Sequence, residues 1–149
     1  MRLPRAGRRD GGADSEHRAD DPVTVLAVDD HDSFRAALRD LVDATDGFAL
    51  VGEVASGEAA LEAVDELSPD MVIMDKRMSG IGGIEACRLI TERHPEVAVF
   101  IISVEDPADP QLSQPCGAVA FVRKEDLSTR MLREFWRPAQ PERPAAARD

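Results

Sequence analysis

Only two of the 149 residues are cysteine. Cys87 lies in a helical pattern and Cys116 in a proline-rich loop. Neither belongs to a Cys-x-x-Cys pair or a Cys/His cluster. Without such a motif the expectation is two free thiols, not a disulfide. No apolar run is long enough to span a bilayer. The pair Arg8-Arg9 opens no export signal, because Asp10, Gly11 and Gly12 follow it in place of an apolar segment. A basic stripe is also missing. Net charge is −11, and residues 1–22 hold five arginines against five acids, so the acid excess sits in the middle of the chain. No surface is available to neutralise nucleic-acid phosphates, and direct nucleic-acid binding is not expected. An acidic surface suits a soluble protein that meets cations or basic partner surfaces. These absences predict a cytoplasmic protein with no membrane segment.

What remains is enough for one domain with a core: the chain is 43% hydrophobic. Residues 1–22 have almost no large apolar side chains and are expected to be a disordered tail. The stretch 138–149, with Pro138, Pro141 and Pro144 followed by alanines and charges, is expected to be a second one. Between them, over 23–137, strand and helix patterns alternate. Val23–Val28 is a continuous apolar run, as in a strand buried on both faces. Asp32 or Ser33 can cap a helix with Phe34, Ala37, Leu38, Leu41 and Val42 at helical spacing. Phe48–Ala55 reads as a second strand. Ser56 caps a second helix with Ala59, Ala60, Ala63, Val64 and Leu67 on one face. Met71–Met74, Val97–Ile102 and Val119–Val122 read as three more strands. A helical segment around Ile84–Ile90 lies between the first two of them, and a last helix carries Leu127, Met131, Leu132, Phe135 and Trp136. Strands alternating with helices predict a doubly wound five-stranded parallel sheet with helices on both faces.

The strand ends carry the chemistry. Asp29 and Asp30 follow the first run, Asp75 the third, Ser103 the fourth and Lys124 the fifth. In an open parallel sheet, residues just past the carboxyl ends of the strands gather along the edge where ligands bind. Three carboxylates, a hydroxyl and an ammonium together make a site for a divalent cation and a phosphoryl group. Each has a blander reading. Asp29 and Asp30 could be acids at a helix N-terminus, Ser103 a turn hydroxyl, Lys124 a solvated charge and Phe121 a core aromatic. Their joint placement argues against these readings. His31 reads as a solvated or capping histidine, and Glu58, Glu62, Asp65 and Glu66 as a solvated helix face.

The strings Val28-Asp29-Asp30-His31-Asp32-Ser33-Phe34-Arg35, Met74-Asp75-Lys76-Arg77-Met78-Ser79-Gly80 with Gly83, Ile102-Ser103 and Phe121-Val122-Arg123-Lys124 resemble the receiver domain of bacterial two-component response regulators, in particular the NarL/FixJ group. The resemblance covers about residues 23–136. It implies a flavodoxin-like (βα)5 fold in which Asp75 accepts the phosphoryl group. Asp30, Asp75 and the backbone carbonyl of Arg77 would bind Mg²⁺ directly, and Asp29 would hold it through water. Ser103 and Lys124 would contact phosphoryl oxygens, and Phe121 would be the switch aromatic. The implied donor is a sensor histidine kinase or phosphotransfer protein, and the implied output is altered binding of a downstream protein.

Several departures stand beside it. Ser79 replaces the usual proline after the acceptor loop, and Glu125 the proline after Lys124. Arg77 and Glu105 flank the acceptor and are expected to pair across its mouth and slow hydrolysis. Pro107, Pro110 and Pro115 fall where the fourth helix belongs, so that helix is expected to be shortened or missing. Signalling, or a homodimer, through the face of the fourth helix, fifth strand and fifth helix is then in doubt. The chain ends soon after Trp136, which leaves no room for a helix-turn-helix output domain. The expectation is a stand-alone receiver or the remnant of a transcriptional regulator. Two rival readings are a phosphorylation-independent interaction module and an Mg²⁺-dependent phosphohydrolase. The latter lacks the Asp-x-Asp pattern at Asp75, where Lys76, Arg77 and Met78 follow.

Overall fold

The computed structural model describes residues 21–104 and 116–136. The expected tails lie outside them apart from Asp21 and Pro22. So does 105–115, on which the expectations about the fourth helix and Glu105 fall.

Strands β1 (Val23–Val28), β2 (Phe48–Val54), β3 (Met71–Asp75), β4 (Ala98–Ser103) and β5 (Ala120–Arg123) form one sheet in the order β2-β1-β3-β4-β5. Every neighbouring pair is parallel. Helices α1 (Asp32–Asp43), α2 (Gly57–Leu67) and α3 (Gly82–Arg93) connect the strands, and a last described helix spans 129–136. The doubly wound parallel sheet expected from the sequence is thus the observed one.

Strand alternation sorts the core into two layers. Val23, Val25 and Ala27 of β1 face one side with Leu38 and Val42 of α1 and Leu132 and Trp136 of the last helix. Leu26 and Val28 face the other, with Ala60 and Val64 of α2 and Cys87 and Ile90 of α3. β3 and β4 are buried along their whole lengths, as expected of central parallel strands. Phe100 of β4 stacks on Phe135 at 4.8 Å between centroids, which ties the last helix to the sheet.

Local chemistry sets the helix starts. The Ser56 side chain accepts a hydrogen bond from the Ala59 N–H at 3.0 Å and caps α2, as its sequence predicts. The start of α1 differs from expectation. Its cap residue is His31, in extended backbone and with no side-chain capping bond, not Asp32 or Ser33. The ring of His31 is engaged by Asp29 instead. Two positions read as apolar face are exposed, Ala37 at the edge of the α1 stripe and Leu67 in the last turn of α2. Cys87 and Cys116 are both free and buried, as expected.

The strand order reverses beside β1: one connection leads out to β2 and the next crosses back to β3. The carboxyl ends of β1 and β3 therefore flank the switch point where such sheets bind ligands.

Candidate functional site

Asp75 is the last residue of β3 and is only 4% exposed. Asp29 follows β1 directly and is fully buried, while Asp30 and His31, next along the turn, stay accessible. One ligand atom from each of Asp29, Asp30, His31 and Asp75 falls in a group whose members lie within 4.8 Å of one another. The adjacent Asp29 and Asp30 meet Asp75, 46 residues beyond Asp29, because β1 and β3 pair in register, Val28 beside Met74.

Lys124 enters from the neighbouring edge. It follows β5 in a short 3-10 turn, Lys124–Asp126. Its ammonium donates to Asp29 Oδ2 at 2.9 Å, stands 3.4 Å from Asp75 Oδ1 and sits 4.2 Å above the Phe34 ring. The aromatic face attracts the cation while leaving its N–H groups for the carboxylates. Among the described residues every peptide bond is trans, including Lys124–Glu125.

Ser103 is the last residue of β4, 4% exposed, and pairs in register with Arg123, so it lies beside Lys124 and one position past the partner of Asp75. Phe121 is half-buried against the layer that holds α2 and α3. The backbone of Arg77 hydrogen-bonds the Asp75 carboxylate. The sheet therefore brings Asp29, Asp30, Asp75, Ser103 and Lys124 to one edge. Phe121 lies one strand away within the same layer system.

The electrostatics are those of crowded acid. Burial, and then the charge of Asp29, push the Asp75 carboxyl above its ordinary value; Lys124 and the Arg77 backbone pull it back only in part. His31 is held above the ordinary imidazole range, first by its hydrogen bond to Asp29 and then by the charges of Asp29 and Asp30.

Sequence reasoning gave three contributors no role in this site. His31 places Nδ1 2.9 Å from Asp29 Oδ1 and 3.1 Å from Asp30 Oδ1, and its backbone N–H donates to the same Asp29 oxygen at 2.8 Å. Arg35 donates to the Asp29 carbonyl at 2.7 Å and leans toward Glu53 of β2 at 3.7 Å. Phe34 lies under Lys124. All three belong to the string that carried the resemblance, but helical spacing assigned Phe34 to the core and gave the other two no partner.

Gly83 shows why a glycine stands there. A Cβ at this position would lie 2.2 Å from the Asp75 carbonyl oxygen and 3.0 Å from Lys76 Cα. The first turn of α3 thus packs directly on the loop that follows Asp75, and the Gly83 N–H donates to the Lys76 carbonyl at 2.9 Å.

Comparison with known proteins identifies the family and the fold. Residues 25–134 match the family model described as response regulator receiver domain. Over 104 residues the chain is 41% identical to the response regulator GacA of Pseudomonas viridiflava, covering 68% of this chain and 48% of that one. It is 36% identical to the response regulator UvrY of Escherichia coli, covering 68% and 47%. The chain thus spans about half the length of the curated relatives it matches. Among solved structures, the signal receiver domain of the response regulator NarL from Mycobacterium tuberculosis superposes with a TM-score of 0.72 at 28% identity, covering 80% of this chain and 98% of that one.

Proposed function

Since the chain belongs to the response regulator receiver domain family, we propose that it takes a phosphoryl group from a histidine kinase or phosphotransfer protein onto Asp75, with Mg²⁺, and thereby changes its affinity for a partner protein. One observation carries this reading: a buried carboxylate at a strand end, with a lysine ammonium at 3.4 Å and two further carboxylates grouped beside it.

The donor set fits a hard divalent cation. Carboxylate oxygens of Asp29, Asp30 and Asp75 lie within 4.8 Å of one another, and such oxygens suit a hard ion. Asp30, Asp75 and the Arg77 carbonyl would hold the ion, with Asp29 acting through water. When bound, Mg²⁺ supplies the positive charge that lets an anionic nucleophile approach an anionic phosphoryl group.

The chain's own residues do the rest. An oxygen of Asp75 attacks phosphorus, the P–N bond to the donor imidazole breaks, and its electron pair leaves with that ring. The product is an acyl phosphate on Asp75. The attack requires the ionised carboxylate, and Lys124 together with the Arg77 backbone favours that form against burial. Lys124 would then neutralise charge developing on a phosphoryl oxygen, and the Ser103 hydroxyl would hydrogen-bond a second one. The half-buried Phe121, next to Val122 of the edge strand, is the aromatic whose rotamer would follow. The domain promotes its own modification and is a switch, not a turnover enzyme.

Intact mass after incubation with a small phospho-donor and Mg²⁺ tests this. A single phosphoryl adduct is expected, absent in Asp75→Ala and without metal. Mg²⁺ at about ten times its Kd is expected to stabilise the fold by about 1.4 kcal/mol. Absence of any adduct in the parent would refute phosphoryl acceptance and leave the interaction-module reading.

A further inference from the structure

His31 occupies a telling position. Its Nδ1 stands between Asp29 Oδ1 at 2.9 Å and Asp30 Oδ1 at 3.1 Å, and the ring is 65% exposed. Nitrogen is thus already in the donor group of what would otherwise be an all-oxygen site. Mg²⁺ demands oxygen ligands and retains water, so it must displace the ring from between the carboxylates. A borderline ion such as Co²⁺ accepts imidazole and gains from it. We propose that His31 sets the metal preference of this site, serving as an imidazole ligand that favours transition-metal divalent cations over Mg²⁺.

This rests on the reading of Asp29, Asp30 and Asp75 as cation ligands. The placement of the ring favours it independently of side-chain reach. The His31 N–H is anchored to Asp29 Oδ1 at 2.8 Å, so ring and carboxylate are held in one turn and need no large movement to share an ion. The exposed ring can also turn out to solvent when an oxygen-seeking ion enters.

The chain has three histidines. His94 pairs with Asp65 at 2.7 Å and lies 3.6 Å from Glu96, which makes it a competing imidazole for Co²⁺. The test therefore uses the full chain with His17→Ala and His94→Ala, compared with the same chain carrying His31→Ala as well. Titration calorimetry with CoCl₂ and with MgCl₂ gives the affinities, and the visible spectrum of the Co²⁺ form reports nitrogen ligation. The expected result is a Co²⁺ Kd raised about tenfold or more by His31→Ala, with a changed spectrum and a Mg²⁺ Kd unchanged or lowered. An equal shift for both ions, or an unchanged Co²⁺ Kd and spectrum, would overturn the role of His31 while leaving the acidic site intact. If neither ion binds the parent, the metal reading of the acidic cluster falls, and this inference with it.

Discussion

Lys124 offers the sharpest test of how the site is balanced. Its side chain is 14% exposed, with the ammonium 2.9 Å from the fully buried Asp29 and 3.4 Å from Asp75. At an effective dielectric constant of about 20, these separations correspond to roughly 6 and 5 kcal/mol of gross attraction. Desolvation of the three groups offsets most of that. Truncating one member of a buried pair nonetheless costs about 3–5 kcal/mol, because it strands the partner charge. Two features lower the figure here: Asp29 keeps its contacts to His31, and Asp75 can take up a proton. Lys124→Met, which retains the stem over Phe34, is therefore expected to lose about 3 kcal/mol at pH 7.5 in chelator. Urea unfolding followed by the single tryptophan, the buried Trp136, gives the measurement. The sign of the pH dependence follows from Asp75. Its carboxyl already lies above the ordinary 3.8, and Lys124 is one of the groups pulling it down. The deficit exists only while the carboxylates are charged, so it is full at neutral pH and shrinks as pH falls through the raised value of Asp75. Equal stability of variant and parent at pH 7.5, or a deficit that grows on acidification, would refute this account.

Asp75→Asn removes a carboxylate whose ionisation is disfavoured in the folded chain. In chelator at pH 7 the melting temperature is expected to rise by about 2–4 °C. The gain should vanish as pH falls toward the ordinary carboxylate range, where the parent Asp75 is protonated in folded and unfolded chain alike; calorimetric melts across that range check both. Gly83→Ala places a methyl against the Asp75 carbonyl at 2.2 Å, so the loop after Asp75 must shift. A loss of about 2–3 kcal/mol in urea unfolding and slower adduct formation by mass are expected together. Ser56→Ala removes the α2 cap, whose hydrogen bond to the Ala59 N–H involves none of the acids. It should cost about 1 kcal/mol and leave the rate of adduct formation unchanged.

Much of this architecture was legible in the residues because its signals are local. Val23–Val28 has the same bounds in sequence and structure, since an apolar run closed by two aspartates has one reading as a buried strand. The Asp29, Asp30, Asp75, Ser103 and Lys124 set was legible because topology alone places strand ends on one edge. Side-chain pairings at the mouth were not. His31 reads as a solvated or capping histidine and does stand exposed at the α1 cap position, but only the turn after β1 shows its ring folded back onto Asp29. Phe34 fits the apolar stripe of α1, and its contact with Lys124 joins residues 90 apart. Ala37 failed for a related reason: a stripe drawn from spacing has no edge, whereas the helix buries only the arc that meets the sheet.

The two kinds of information meet at Asp29. It is fully buried, yet four groups hold it: Lys124 and the His31 ring and N–H on its carboxylate, and Arg35 on its carbonyl. Asp75, by contrast, has the Lys124 ammonium at 3.4 Å and the Arg77 backbone as partners, and its charge is still disfavoured. This asymmetry has a physical consequence. A carboxylate saturated with donors is stabilised as an anion and is a poor nucleophile, while one held ionised against burial with few partners retains its reactivity. The same edge of the sheet thus separates a firmly held acid, Asp29, from the proposed phosphoryl acceptor, Asp75. The separation depends on Lys124 bridging the two and on His31 engaging only Asp29 and Asp30. Moving the lysine's hydrogen bond from Asp29 to Asp75 would stabilise the apo site and dull its chemistry.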